Sequence, residues 1–138
     1  MNQAVMAMFL ALNELRSGDE VAAARWARCS LQAAKDHSTT FVAQTTSVIV
    51  ATVRRHSPTR AAILLGALRA HRGRKQQAGI QAEIEGEFRY ETSLRRQLGA
   101  EFEALYAKGQ ALDENAMIIL AFRQIDAIIE PSGEQAGS

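Results

Sequence analysis

The stretch Ser57-Pro58-Thr59-Arg60-Ala61-Ala62-Ile63-Leu64-Leu65-Gly66-Ala67-Leu68-Arg69-Ala70-His71-Arg72 decides how the chain is read. Ser57 is a good helix N-cap, and Pro58 suits the first helical turn, where a missing N–H costs nothing. Ala61, Leu64, Leu65 and Leu68 then recur at three- and four-residue steps, which places one apolar stripe on a helix. Gly66 and the alanines leave room for a second helix to come close. The stretch is built to be packed against, and it carries no reactive chemistry.

Upstream lies Phe41–Arg55, where Val48-Ile49-Val50 between threonines has strand propensity. Helix is the better reading, because Phe41, Val42, Val48, Ile49 and Val53 share a helical face and the run exceeds the usual strand length. A lone strand would also have no partner elsewhere in the sequence. Before it, residues 3–16 carry Val5, Met8, Phe9, Leu12 and Leu15 at helical spacing. Ser17-Gly18-Asp19 breaks that pattern, Gly18 as a left-handed exit and Asp19 as the next cap. A second, alanine-rich helix runs from Glu20 to about Lys35 with Val21, Ala24 and Leu31 facing inward and Trp26 a further inward candidate. These two helices form an antiparallel hairpin. A polar connector, residues 36–40, follows.

Downstream, Gly73–Gly79 reads as a basic loop and Ile80–Gln97 as a long helix with Ile80, Ile84, Phe88 and Leu94 inside. Leu98-Gly99 stops it. A short helix over Ala100–Lys108 carries Phe102, Leu105 and Tyr106 and closes at Gly109. The last helix, near Asp113–Ile129, opens on acids that suit the positive end of the helix dipole. Its Met117, Ile118, Leu120, Phe122, Ile125, Ile128 and Ile129 cover more than one narrow stripe, so it has to dock in a groove made by the others. From Pro131 the chain has no apolar anchor and reads as a tail. The expected architecture is therefore all-α, about seven helices in antiparallel hairpins over residues 1–130, with a divergent C-terminal capping helix and a tail at 131–138.

The 138 residues suit one domain with a real core. A net charge of +1 gives no global attraction to nucleic acid or an anionic membrane. One cysteine, Cys29, rules out an internal disulfide framework and fits a reducing cytoplasm. The apolar run Ala4–Leu12 is too short for a bilayer and has no basic leader, so it reads as an amphipathic helix.

Two helical pairs align, one around Ser17-Gly18-Asp19 with Ala23, Ala27 and Leu31 behind it, the other around His56-Ser57-Pro58 with Ala61, Leu65 and Leu68. This resembles the tetratricopeptide repeat, whose inter-helix turn is often Gly-Asp, although the first helices lack the expected aromatic and Leu-Gly positions. A longer resemblance covers roughly residues 57–125. Ala61-Ala62-Ile63-Leu64-Leu65-Gly66-Ala67, a charged helix, and then Leu98-Gly99-Ala100-Glu101-Phe102 through Gly109-Gln110-Ala111-Leu112 look like the C-terminal end of actinobacterial LuxR-type regulators and related signal-transduction ATPases. The resemblance implies a sensor or protein-interaction region of a transcriptional regulator. The chain departs from the family at the Gly73–Gly79 loop, where a proline is usual, and at Ala111, which leaves Asp113 to cap the last helix. It contains no phosphate-binding G-x-x-x-x-G-K-[ST] motif and no separate helix-turn-helix, so the expectation is a fragment or a stand-alone relative.

Candidate chemistry is sparse. His37, His56 and His71 lack the converging donors a metal needs and read as solvated helix-end histidines. Cys29 reads as a half-buried packing residue despite the neighbouring Arg25 and Arg28. Glu83, Glu85, Glu87, Glu91, Glu101 and Glu103 read as exposed helix faces interleaved with arginines. The stretch from Arg54 to Lys75 holds nine basic residues counting histidines and no acid, and reads as a solvated basic rim, with nucleic-acid contact a lesser alternative. No nucleophile with its base is nominated, so neither an enzyme nor a cofactor is expected. Two interaction readings remain: a concave face that binds a protein or peptide, with Arg55, Arg69 and Arg72 meeting an acidic partner, or a homodimer through Val5–Leu31, where Phe9, Leu12 and Trp26 would need cover.

Overall fold

The computed structural model describes residues 3–36, 39–75 and 81–130. Among these the chain is all-α, with seven helices and no strand: α1 Gln3–Ser17, α2 Glu20–Ala34, α3 Thr39–Val53, α4 Pro58–Lys75, α5 Gln81–Leu98, α6 Glu101–Gln110 and α7 Glu114–Ile129. The expectations for His37, for the loop residues Gln76–Gly79, for Ile80 and for the tail from Pro131 lie outside the described residues, as do those for the side chains of Glu83 and Ile84.

Local chemistry sets the helix ends. Gly18 adopts φ +92°, a backbone conformation that favours glycine, and Asp19 Oδ1 then accepts the Ala22 N–H at 3.0 Å. Ser57 Oγ accepts the Arg60 N–H at 3.3 Å. Gly99 at φ +59° turns the chain from α5 into α6. Asp113, in extended backbone, caps α7 through the Ala116 N–H at 2.8 Å. Each cap satisfies an N–H that the helix itself leaves unpaired.

α3 is the axis of the molecule. It packs on α1, α2, α4, α5 and α7, and every residue from Thr45 to Val53 is buried. Its β-branched residues are tolerated in a helix because neighbours cover all its faces, so tertiary packing outweighs strand propensity. Its buried hydroxyls are satisfied within the helix, across to α2, or, for Ser47, across to α5. Thr46 donates to the Val42 carbonyl at 2.7 Å and Thr52 to the Val48 carbonyl at 3.0 Å. Ser30 of α2 lies 2.8 Å from the Thr45 hydroxyl and 2.8 Å from the Ala4 carbonyl of α1, tying three helices together.

Around this axis α1 lies along α2, α4 lies along α6, and α7 docks into the groove formed by α2, α3 and α4. Met117, Ala121, Ile125 and Ile128 enter that groove as buried core residues. α4 buries Ala61, Leu64, Leu65 and Leu68 as the apolar stripe predicts. At Gly66 the α6 backbone comes so close that an added Cβ would lie 2.1 Å from the Tyr106 carbonyl oxygen.

Several inward assignments are corrected. The inner line of α1 is Ala4, Ala7, Ala11 and Leu15, and Phe9 is 54% exposed. α2 turns Ala23, Ala24, Ala27, Ser30, Leu31 and Ala34 inward, which leaves Val21 and Trp26 each 38% exposed. Small side chains at the α1–α2 contact let the two helices close up, and the large residues go outward. Phe88 is 60% exposed, because the inner line of α5 runs one position round, through Glu87, Tyr90, Glu91 and Leu94. Gly109 does not close α6. It lies within the helix, buried against α4.

Candidate interaction surface

The charged residues of α4 and α5 form one network. Arg72, 8% exposed by side chain, donates at 2.5 Å to both carboxylate oxygens of Glu87, itself 4% exposed. Ser47 of α3 donates to the same carboxylate at 2.8 Å. One turn along, Arg69 pairs with Glu91. Arg95 bridges Glu91, at 2.7 Å, to Glu103 of α6, and its guanidinium lies 4.4 Å from the centre of the Phe102 ring. Arg54, at the end of α3, stacks over Tyr90 at 4.8 Å. Two arginines three apart on α4 thus face two carboxylates four apart on α5, which is the spacing at which one face of each helix meets the other.

Burial pushes the Glu91 carboxyl up, but hydrogen bonds and charge from Arg69 and Arg95 outweigh that and hold it below the usual carboxylate range. A depressed carboxyl stabilises the fold above its unfolded value, near pH 4.3, and withdraws that stability as the pH falls through the folded value. Stability measured by circular dichroism should therefore decline with acid from about pH 4.5 downward, and Glu91→Gln should make that decline shallower. An unchanged acid profile in Glu91→Gln would remove this carboxylate from the account.

The basic stretch is a solvated rim only in part: Arg55, His56, Arg60, Arg74 and Lys75 are exposed, whereas His71 and Arg72 are buried. Besides Arg69 and Arg72, His56 sits against Glu20, Arg74 donates to the Leu112 carbonyl at 3.0 Å, and Lys75 lies 4.0 Å from Glu114. His71 is not a solvated helix-end histidine. It is fully buried, with Nδ1 3.8 Å from the Glu114 carboxylate at the start of α7. Cys29 is exposed, not half-buried. Glu87 lies inside the fold, whereas Glu101 and Glu103 are exposed as expected. Arg69 and Arg72 are brought together, against acids of this same chain. Arg55 stands apart, donating to the Leu15 carbonyl at the end of α1 at 3.3 Å.

Sequence reasoning passed over Ser47 and Arg95 and read Glu87 and Glu91 as exposed helix faces. The matched spacing of Arg69-x-x-Arg72 and Glu87-x-x-x-Glu91 was the available signal, and it becomes legible only once α4 and α5 are set side by side.

Elsewhere a few large apolar side chains are exposed. Met6 and Phe9 are 51% and 54% exposed on α1, a helix with no charged residue between Gln3 and Asn13, and Trp26 stands out from α2. A groove of about 540 Å³ runs between the first turn of α4 and the end of α7, lined by Arg60, Ile63, Leu120, Arg123 and Gln124. Among the described residues no group of three or more His, Cys, Asp or Glu side chains is arranged to hold a metal. No described helix is long and apolar enough to cross a membrane. No protein-family model, curated protein or solved structure matches the chain at a significant level.

Proposed function

We propose that this chain is a non-catalytic protein-interaction or sensing module, tetratricopeptide-like in its helical pairing and set in a bacterial transcriptional regulator of the cytoplasm. The observation that carries the interaction reading is the inverted α1–α2 hairpin, with alanines at its internal contact and Met6, Phe9 and Trp26 turned to solvent. Large apolar side chains left exposed in this way suit a site that another protein covers. The regulator setting rests on the resemblance of residues 57–125 to the C-terminal region of LuxR-type and signal-transduction ATPases. The consecutive contacts α1–α2, α2–α3 and α3–α4, with α1 also touching α3, support a stacked-pair arrangement.

The alternative is a homodimeric scaffold, favoured by the absence of charge along α1 from Gln3 to Asn13. Multi-angle light scattering over a wide concentration range, on the wild type and on Phe9→Ser/Trp26→Ser, separates the two. A mass that doubles in the wild type and returns to that of one chain in the variant establishes the homodimer. A wild type that stays monomeric, with capture of a regulator's ATPase or DNA-binding region that the variant loses, establishes the module. If the double substitution changes neither mass nor capture, the hairpin surface is not an interface.

A further inference from the structure

α5 carries charge of opposite sign on its two sides. Between Gly86 and Leu98 its acids are Glu87 and Glu91, and both are paired with arginines of α4, Arg72 and Arg69. The outer line of the same stretch carries Phe88, Arg89, Thr92, Ser93 and Arg96, which border a shallow hollow of about 300 Å³. Phe88 is the most exposed large apolar side chain among the described residues. The Arg69 guanidinium lies 5.5 Å from the centre of its ring and steadies it from the α4 side. Arg89 and Arg96 are exposed and form no ion pair among the described residues.

We propose that this outer face of α5 docks an acidic amphipathic helix of a partner protein, one that carries an apolar residue such as Leu between two acids seven residues apart. This rests on the reading of the chain as an interaction module and adds a second surface, with the chemistry of what fits it. Arg89, Thr92, Ser93 and Arg96 stand at i, i+3, i+4 and i+7, the four positions that form the hole into which a neighbouring helix inserts a side chain. Thr92 and Ser93 cross the middle of that hole and are short, so a partner backbone can come near. The Thr92 hydroxyl donates to the Phe88 carbonyl at 2.9 Å, so covering it strands no donor. Phe88 gives the inserted side chain an apolar neighbour. The two arginines stand at the ends of the hole, seven residues and so about 10.5 Å apart along the axis. A partner helix lying alongside has the same rise, so acids seven apart meet both arginines at once. Exposed ion pairs are individually weak; the contact with Phe88 supplies affinity, and the arginines select for acid. The sequence reading placed Arg69 and Arg72 against an acidic partner. In this structure those two meet acids of α5, and Arg89 and Arg96, on the far side of the same helix, are the cations left for one.

The test uses the full chain and a fluorescent, alanine-rich helical peptide of about 20 residues carrying Glu-x-x-Leu-x-x-x-Glu. A second peptide has Gln in place of both acids. Fluorescence anisotropy at low salt, where exposed pairs are least screened, should show the acidic peptide binding and the Gln peptide binding about threefold or more weakly. Arg89→Gln/Arg96→Gln should abolish that preference, so that the two peptides bind alike, and Phe88→Ser should weaken both by about threefold or more. All three positions are exposed, and the variants should melt close to the wild type. No binding of the acidic peptide, equal binding of the two peptides by the wild type, or a preference that survives in Arg89→Gln/Arg96→Gln overturns the proposal. So does tighter binding of a single-stranded DNA oligonucleotide that the same double substitution abolishes, which assigns the face to nucleic acid instead. None of these outcomes bears on the α1–α2 hairpin, whose light-scattering test stands by itself, so the two readings fail separately.

Discussion

Gly109→Ala is expected to destabilise the fold by about 3 kcal/mol or more, at the upper end of overpacking substitutions. A Cβ at position 109 would lie 1.8 Å from the Ile63 carbonyl oxygen and 2.9 Å from the Ala67 nitrogen. Both are backbone atoms of α4, so no side chain can rotate out of the way. Ordinary carbon–oxygen contact begins near 3.3 Å, so α6 must retreat from α4 by about 1.5 Å. That retreat unseats Phe102 from the core and its stacked neighbour Tyr106. Gly66→Ala meets the Tyr106 carbonyl from the other side and should behave alike.

The control lies in α4. Gly73 has nothing within 4 Å of an added Cβ, so Gly73→Ala should stabilise by about 0.4–1 kcal/mol through the unfolded chain. Thermal unfolding should show Gly109→Ala lowered by about 10 °C and Gly73→Ala unchanged or slightly raised. If Gly109→Ala melts with the wild type, α4 and α6 do not cross at this contact.

Gly66 and Gly109 also show where a sequence stops being legible. Gly66 sits in the middle of a strong helical pattern, which leaves close approach as its only sensible role. Gly109 follows a short helix, where a glycine also makes a good stop, and only the presence of α4 above it distinguishes the two roles. Signals that act within a few residues read correctly: Gly18-Asp19, Ser57 and Asp113 at helix ends, and the shared face that makes α3 a helix despite its valines and threonines. The docked last helix was legible too, because its apolar surface was too wide for a single groove wall.

Helix rotation was less legible. In α5 hydrophobicity argued for Phe88 inside and Glu87 outside, and the reverse holds because Arg72 and Ser47 supply a buried carboxylate with all it needs. Those partners lie 15 and 40 residues away in sequence, beyond any local period. In α1 and α2 the same rule fails for another reason. Two helices that meet through alanine approach closely, so the larger residues are displaced to the outer faces, where Phe9 and Trp26 stand.

Glu87→Ala is expected to cost about 3–5 kcal/mol, because it removes the buried carboxylate that accepts from both Arg72 and Ser47. Arg72→Met together with Glu87→Met and Ser47→Ala removes the whole polar node and should be near neutral, or stabilising by up to about 1–4 kcal/mol, since three desolvated groups are replaced by apolar ones. Glu91→Gln should cost less than Glu87→Ala near neutral pH, because its side chain keeps 20% exposure and that of Arg69 keeps 23%, which lets water share the load. Urea midpoints for the three variants order these effects directly. The expected order means that the node contributes little net stability and instead fixes how α5 is rotated on α4, since only one rotation brings Glu87 to Arg72 and Glu91 to Arg69 together. A rotation of one residue position would bury Phe88 and expose Glu87, which the hydrophobic effect alone would favour, and the enclosed arginine forbids it. If the triple variant unfolds as readily as Glu87→Ala, the node is a net source of stability and its role in setting that rotation is secondary.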